Sequence, residues 1–144
     1  MVFLSRKTRQ KFYPSIRYSC FKRTLLWQAP GQKKQNMEEK YGTKKFTSWD
    51  LDFEPGLLEG ENLKVVYERA VPYFKKEVLP TIKKGKNVIV CAHHSSLRAL
   101  VKYIEDISDK NIKNVRFSTG DIVRYNFSEG RLVKENAEIA LKQK

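Results

Sequence analysis

The stretch "VIVCAHHSSLRAL", residues 88–100, decides the fold. Its apolar, β-branched beginning at 88–92 predicts a short buried strand, and the segment from 95 onward predicts an amphipathic helix. We expect the strand to be parallel to its neighbours, because predicted helices flank it. Both histidines of the 144-residue chain, His93 and His94, lie between these two elements. The junction is therefore the first place to look for a functional site.

Three interpretations of the histidine pair follow from its position. In an open α/β sheet, ligands bind beyond the carboxyl ends of the strands, and a helix N-terminus favours an anion, so a histidine there can donate a hydrogen bond to a phosphoryl oxygen. A metal site is disfavoured, because adjacent histidines lack chelating spacing and no cysteine or carboxylate cluster stands nearby. In the third interpretation, Ser95 or Ser96 caps the helix and the histidines have no special role.

The two histidines are expected to point in different directions. Successive side chains of an extended chain alternate between its two sides. We therefore expect one histidine in the site and the other elsewhere.

The flanking segments predict an α/β fold of alternating helices and strands. Apolar residues within 61–79 recur at intervals of three and four, which predicts a helix whose buried face is formed by Leu63, Val66, Tyr67, Ala70, Val71, Phe74 and Val78. Pro72 is expected to kink or break this helix, since proline has no N–H to donate. Strands are predicted at 121–127 and 131–135.

Upstream of this region, predicted turns and loops separate short elements. Residues 35–42 predict one short helix with Gly42 as its C-terminal stop. Residues 43–49 are mixed in character and predict no regular element, and an acidic loop is expected at 50–61.

The formal charge of +13 lies mainly in the first third of the chain. Residues 1–48 hold 12 Lys and Arg against two Glu, whereas residues 49–144 hold 17 basic against 14 acidic residues. Such charge attracts phosphorylated substrates or polyanions. Nucleic acid is the weaker candidate, because no recognition-helix, zinc-finger or RNP-like signature accompanies the charge. No apolar run approaches the roughly 20 residues needed to span a bilayer, so no membrane partner is predicted.

Length and cysteine content favour one domain in a reducing compartment. Cys20 and Cys91 lie far apart and show no metal spacing, which is typical of ordinary thiols. Residues 1–37 contain no acid and several Arg, Ser and aromatic residues, a composition shared with mitochondrial transit peptides, although Pro14 interrupts any amphipathic helix. We predict a cytoplasmic protein, with mitochondrial targeting as the alternative.

Five collinear segments resemble 2,3-bisphosphoglycerate-dependent phosphoglycerate mutases of the histidine phosphatase superfamily. GKNVIVCAHHSSLRALVKYIEDIS is similar to the family's second-histidine segment, a strand, Ala-His-Gly-Asn-Ser-Leu-Arg and a helix. The family's preceding helix and following Pro-Thr-Gly-Ile-Pro strand resemble GENLKVVYERAVPYFKKEVLPTIKKGK and FSTGDIVRYNF. Two upstream segments, YSCFKR and QKKQNMEEKYGTKKFTSW, are similar to its Thr-Ser-x-x-Lys-Arg turn and its Asn-Lys…Lys-Tyr-Gly…Trp segment.

The resemblance implies roles for five residues. His93 corresponds to the family's second active-site histidine, which hydrogen-bonds the transferring phosphoryl group. Arg23 corresponds to a phosphate-binding arginine, and Lys34 to a lysine that contacts the substrate. His94 and Ser95 stand where the family has Gly and Asn, both normally part of the ligand site. The resemblance also implies 2,3-bisphosphoglycerate as phosphoryl primer, and no metal.

Other family features have no counterpart in this sequence. Nothing in residues 1–12 matches the Arg-His-Gly-Glu segment whose histidine becomes phosphorylated, and the acid–base Glu of a Glu-Arg-His-Tyr motif is absent. The Trp-Arg-Arg that grips a second phosphate is replaced by Trp49-Asp50-Leu51, so a carboxylate stands in place of bidentate donors. A histidine at position 94 instead of glycine is expected to crowd the anion.

The resemblance implies a partial three-layer α/β fold, with a mostly parallel sheet flanked by helices and the first catalytic strand missing. We divide the chain into a basic, disordered N-terminus at 1–12, a partial phosphoglycerate-mutase-like domain at 13–136 and a frayed basic tail at 137–144. A missing strand is expected to leave a sheet edge or a cavity exposed and to lower stability or require a partner.

The resemblance further implies interconversion of 3- and 2-phosphoglycerate in glycolysis through a phosphohistidine. We expect this chain alone to be weakly active or inactive, because the nucleophile and acid–base segments are absent. His94 is a poor substitute phospho-acceptor, since the in-line arrangement would have to be rebuilt. The alternative is a non-catalytic truncated paralogue that binds phosphorylated metabolites, forms a homo-oligomer or pairs with an intact mutase subunit. A nucleic-acid-binding module ranks last.

Overall fold

The structure is a computed structural model that describes residues 2–5, 34–54 and 61–135. In chain order its elements are β1 (Val2–Ser5), α1 (Lys34–Tyr41), α2 (Thr43–Leu51), α3 (Leu63–Tyr73), a π-helical turn (Phe74–Val78), α4 (Leu79–Lys83), β2 (Val88–Val90), α5 (His94–Ile104), a 3₁₀ turn (Ile112–Asn114), β3 (Val123–Ser128) and β4 (Arg131–Lys134). The predicted mixture of helices and strands is confirmed. None of the helices in these ranges is long and apolar enough to cross a bilayer.

The four strands form one sheet in the order β2-β1-β3-β4. β1 is parallel to β3, whereas β1 pairs with β2, and β3 with β4, in antiparallel fashion. The prediction of a mostly parallel sheet is therefore wrong for the described strands. An apolar run does not encode the direction of its partner, and β3 and β4 are joined by a two-residue turn, Glu129 and Gly130, which permits only an antiparallel pair.

β1 occupies an interior position of the sheet. Val2 is in register with Val90 on one side and with Val123 on the other. The four residues of β1 were expected to be disordered, and a gap was expected where a first strand is missing. Instead, this segment fills an interior position, because an extended backbone between two strands gains ladder hydrogen bonds on both sides.

α3, the π-helical turn, α4 and α5 pack against one face of the sheet. Val90 and Tyr125 are buried in the core on this face, whereas Ile89 is 57% exposed and Val133 is exposed on the other. Such alternation is typical of a sheet that is covered on one side. β2 is therefore not the fully buried strand that its apolar run predicted, and the expected three-layer arrangement is not seen among the described residues.

α5 lies at the centre of the core. All of its residues from 95 to 101 are buried, and it packs against α3 and the sheet. The main cluster of buried residues is Ala70, Phe74, Val78, Ile82, Val90, Leu97, Leu100, Val101 and Tyr125. This packing fixes the N-terminus of α5 relative to the carboxyl end of β2.

α3 contains Pro72, which was expected to kink or break it. The helix begins at its N-cap Asn62, whose side-chain oxygen accepts a hydrogen bond from Val65 N–H at 3.0 Å. At Pro72 the helix does not break but widens into the π-helical turn Phe74–Val78 and continues as α4. The wider turn accommodates the missing N–H while both ends of the turn stay buried on the core face.

α1 and α2 are separate helices divided by Gly42. α1 ends at Tyr41, as predicted, and Gly42 has a φ of +83°, a conformation that glycine adopts without strain. Residues 43–49, for which no regular element was predicted, form most of α2. Phe46 and Trp49 lie one turn apart and are both buried, so tertiary packing stabilises a helix that the local sequence favours only weakly.

Candidate functional site

His93 and His94 lie where the chain passes from extended to helical conformation. His93 is the N-cap of α5, with φ −65° and ψ 151°, and His94 is the first helical residue. The centroids of the two rings are 4.1 Å apart, with 47° between their planes. The prediction that the two histidines lie apart is wrong. Side chains alternate along a continuous strand, but the change of backbone direction at the helix cap brings both rings together.

The N-terminus of α5 presents its first-turn amides beside this pair. A hydrogen bond from Leu97 N–H to His93 O, at 3.1 Å, closes the first helical turn, so the amides of residues 94–96 precede it. The His93 side chain makes no capping hydrogen bond. Ser95 and Ser96 are buried within α5, so neither is the N-cap that the third interpretation required.

The end of α2 brings a carboxylate to the histidine pair. Asp50 Oδ1 lies 3.9 Å from His94 Nε2, and the two side chains are 25% and 37% exposed respectively. At this distance the carboxylate attracts a protonated imidazole and repels an anionic ligand group. We call His93, His94 and Asp50 together the histidine corner.

Arg98 holds the end of α2 against α5. It is only 2% exposed, and its guanidinium donates hydrogen bonds to the main-chain oxygens of Asp50 at 2.8 Å, Leu51 at 2.6 Å and Ile112 at 3.1 Å. Burial lowers the pKa of the Arg98 guanidinium and the Asp50 carboxylate opposes this effect, but an arginine remains charged. A cation at the last carbonyls of α2 also complements the dipole of that helix.

Sequence reasoning did not single out Arg98. A charged residue inside the apolar segment 97–101 of a central helix requires buried partners, and that pattern is a usable signal for a buried cation. The signal does not identify the partners. Two of the acceptors lie 48 and 47 residues earlier in the chain, at the end of a helix that was not predicted.

The other predicted ligand residues are only partly placed. Lys34 begins α1, but its side chain lies outside the described residues, as does Arg23 entirely. Ser95 is buried in α5 next to His94. The structure therefore brings His93, His94 and Ser95 together and does not test the other two. In the described part of the chain, no group of three or more His, Cys, Asp or Glu is arranged to hold a metal ion.

Comparison with known proteins places the corner within a family. The histidine phosphatase superfamily (branch 1) matches residues 26–139, which include all three residues of the corner. The chain belongs to the histidine phosphatase superfamily. Curated proteins similar to this chain are named 2,3-bisphosphoglycerate-dependent phosphoglycerate mutases, which confirms the resemblance seen in the sequence.

Three relatives with that name show the extent of the similarity. The protein of Methanosarcina mazei is 64% identical over 109 residues, which cover 76% of this chain and 45% of the relative. The protein of Methanosarcina acetivorans is 54% identical over 108 residues, which cover 75% and 44%. The second such mutase of Arabidopsis thaliana is 30% identical over 135 residues, which cover 94% and 41%. The chain thus spans less than half the length of these relatives.

Proposed function

We propose that the histidine corner binds the phosphoryl group of a phosphoglycerate in a protein of the phosphoglycerate mutase family. The position of His93 is the observation that supports this most strongly, because it is the N-cap of α5 and lies within the part that matches the superfamily. An imidazole donor and the amides of a helix N-terminus together stabilise phosphoryl charge. The names of the relatives support phosphoglycerates as the ligand class and, by extension, the glycolytic interconversion of 3- and 2-phosphoglycerate.

The relatives are named for their dependence on 2,3-bisphosphoglycerate, which supports that molecule as the primer in the family. The described residues of this chain fit one of its two phosphoryl groups. His93 and the first-turn amides suit one such group, whereas Asp50 offers a carboxylate where a second group requires a donor. We therefore assign the corner a phosphoryl-binding role and derive no primed transfer step for this chain.

Under this proposal the 144-residue chain alone has little or no mutase activity. A phosphohistidine route requires a nucleophile in addition to His93, and the only other histidine, His94, is packed against it. In a serine protease, removal of the nucleophile lowers kcat by a factor on the order of 10⁶. The chain would then act by binding phosphorylated metabolites, with Arg23 and Lys34 as further ligands, or by pairing with itself or with an intact mutase subunit.

We also propose a cytoplasmic location and no nucleic-acid partner. Cys91 is an exposed free thiol, which is compatible with a reducing compartment. The basic residues are concentrated in the first third of the chain, and no recognition-helix, zinc-finger or RNP-like signature accompanies them, so small phosphorylated ligands are favoured over nucleic acid.

An enolase-coupled assay of the purified chain, with and without added 2,3-bisphosphoglycerate, tests the proposed inactivity. We expect no turnover above background for the wild type or for His93→Ala. Turnover in the wild type that disappears in His93→Ala would overturn the proposal of an inactive chain.

Isothermal titration with 3-phosphoglycerate tests the proposed binding. His93→Ala should weaken binding, because it removes the imidazole donor from the phosphoryl position. Lys83→Ala is the matched control. It removes an exposed charge at the end of α4, before β2 rather than after it, and should leave the affinity unchanged. Equal losses in the two variants would contradict a site at His93.

A further inference from the structure

We propose that Asp50, held in place by Arg98, makes the histidine corner select ligands with one phosphoryl group over ligands with two. The inference names the ligand class of the site and therefore rests on the proposed function. Asp50 is the specificity-determining group that faces the ligand. Arg98 acts through it and is a positioning residue.

The backbone around Asp50 is fixed on both sides. Arg98 binds the main-chain oxygens of Asp50 and Leu51, and the same guanidinium is anchored to the 3₁₀ turn by its third hydrogen bond. One residue further on, Asp52 N–H donates to Ser48 O at 2.9 Å, and the Ser48 hydroxyl donates to the Asp52 carboxylate at 2.5 Å. A planar fork of donors on several carbonyls is rigid, so the end of α2 cannot easily move away from α5.

The charge of Asp50 therefore stays on one flank of the corner. Its carboxylate lies 3.9 Å from His94 Nε2, and the centroid of the His94 ring lies 4.1 Å from that of the His93 ring, with the two rings tilted by 47°. A ligand that places one phosphoryl group at His93 has this carboxylate close to the remainder of the molecule.

A second phosphoryl group carries about two negative charges, whereas a hydroxyl carries none and a carboxylate carries one. Because the Asp50 side chain is only 25% exposed, water screens its charge less than at an open surface. The repulsion thus grows with the charge of the second ligand group, and the corner disfavours a bisphosphate more than a monophosphate.

Isothermal titration of four proteins with 3-phosphoglycerate and with 2,3-bisphosphoglycerate tests the inference. The proteins are the wild type, Asp50→Asn, Arg98→Lys and the double variant. Asp50→Asn keeps the shape of the side chain and removes its charge, so the ratio of the two Kd values should shift toward the bisphosphate by about three- to tenfold. Arg98→Lys should shift the ratio in the same direction, because lysine cannot keep the fork of hydrogen bonds. The double variant should show no shift beyond that of Asp50→Asn.

The outcomes separate this inference from the proposed function. An unchanged ratio in Asp50→Asn, with 3-phosphoglycerate still bound, overturns the selectivity and leaves the proposed function standing. Failure of the wild type and all variants to bind 3-phosphoglycerate overturns both. A shift in Asp50→Asn without one in Arg98→Lys overturns the positioning role. If circular dichroism shows that Arg98→Lys does not fold, Arg98→Gln, which keeps an N–H donor for the Asp50 carbonyl, takes its place.

Discussion

Arg98 donates a hydrogen bond to the main-chain oxygen of Asp50 at 2.8 Å, and the carboxylate of the same Asp50 lies 3.9 Å from His94. The helix that presents the histidine pair thus also holds, through a buried cation, the acidic neighbour of that pair. A substitution of Arg98 is therefore expected to change both stability and ligand choice. A substitution of the Asp50 side chain is expected to change ligand choice alone.

Replacement of Arg98 by methionine should destabilise the protein strongly. The variant keeps most of the side-chain volume but leaves three carbonyl groups near α5 without their charged donor. We expect a loss of about 2–4 kcal/mol in the free energy of unfolding, measured by urea denaturation. Arg116→Met is the control at an exposed arginine and should change stability by no more than about 0.5 kcal/mol. Similar losses in both variants would show that Arg98 is not a structural anchor.

Tyr125 should make the stability of the protein depend on alkaline pH. Burial, and then the hydrogen bond from its hydroxyl to the Glu105 carboxylate, raise the pKa of Tyr125 far above its ordinary value. The unfolded chain releases this proton near pH 10, whereas the folded chain keeps it. The contribution of the Tyr125 proton to the free energy of unfolding is therefore complete below pH 10 and is lost as the pH rises above 10.

The variant Tyr125→Phe isolates this effect from the titration of other groups. Above pH 10 the wild type should lose up to about 1.4 kcal/mol more per pH unit than the variant, because one proton separates the two states. At pH 8 the variant should be less stable by about 1 kcal/mol, the net value of one hydrogen bond. Urea denaturation between pH 8 and 11 measures both quantities. Parallel pH dependences would contradict the raised pKa.

The N-cap of α3 should contribute measurably to stability. Asn62→Ala removes the acceptor of the Val65 N–H and should cost about 1 kcal/mol in the free energy of unfolding, whereas Asn62→Asp should be nearly neutral. Asn111→Ala offers a matched control, because Asn111 is also an N-cap but makes no side-chain capping hydrogen bond. An equal cost at both asparagines would mean that the Asn62 hydrogen bond adds nothing.

Local patterns in the sequence predicted the elements whose partners are near in the chain. The apolar periodicity of 61–79 predicted the buried face that Val66, Ala70 and Phe74 form in the structure. Gly42 predicted the end of α1, because glycine readily adopts the positive φ with which a helix often ends, and no distant contact is needed for that. The strand-to-helix change at 88–100 likewise predicted β2, α5 and the place of the histidines.

Features that depend on distant contacts could not be predicted. α2 depends on the burial of Phe46 and Trp49 and on hydrogen bonds from Arg98, which lies 47 and 48 residues beyond their acceptors. The antiparallel pairing of β1 with β2 is a property of two strands together, and no pattern within either strand specifies it. The approach of Asp50 to His94 follows from the same long-range contacts, so the acidic flank of the corner emerged only from the structure.

The central claim is that His93 contacts a phosphoryl group at the N-terminus of α5, and histidine-selective ¹⁵N labelling tests it most directly. Since the chain has only two histidines, the side-chain spectrum contains two rings, and His93→Ala assigns them. The account predicts that 3-phosphoglycerate shifts the His93 ring and the backbone amide of His94 in a saturable way, whereas glycerate, which lacks the phosphoryl group, does not. No shift at His93, or equal shifts with glycerate, would contradict it.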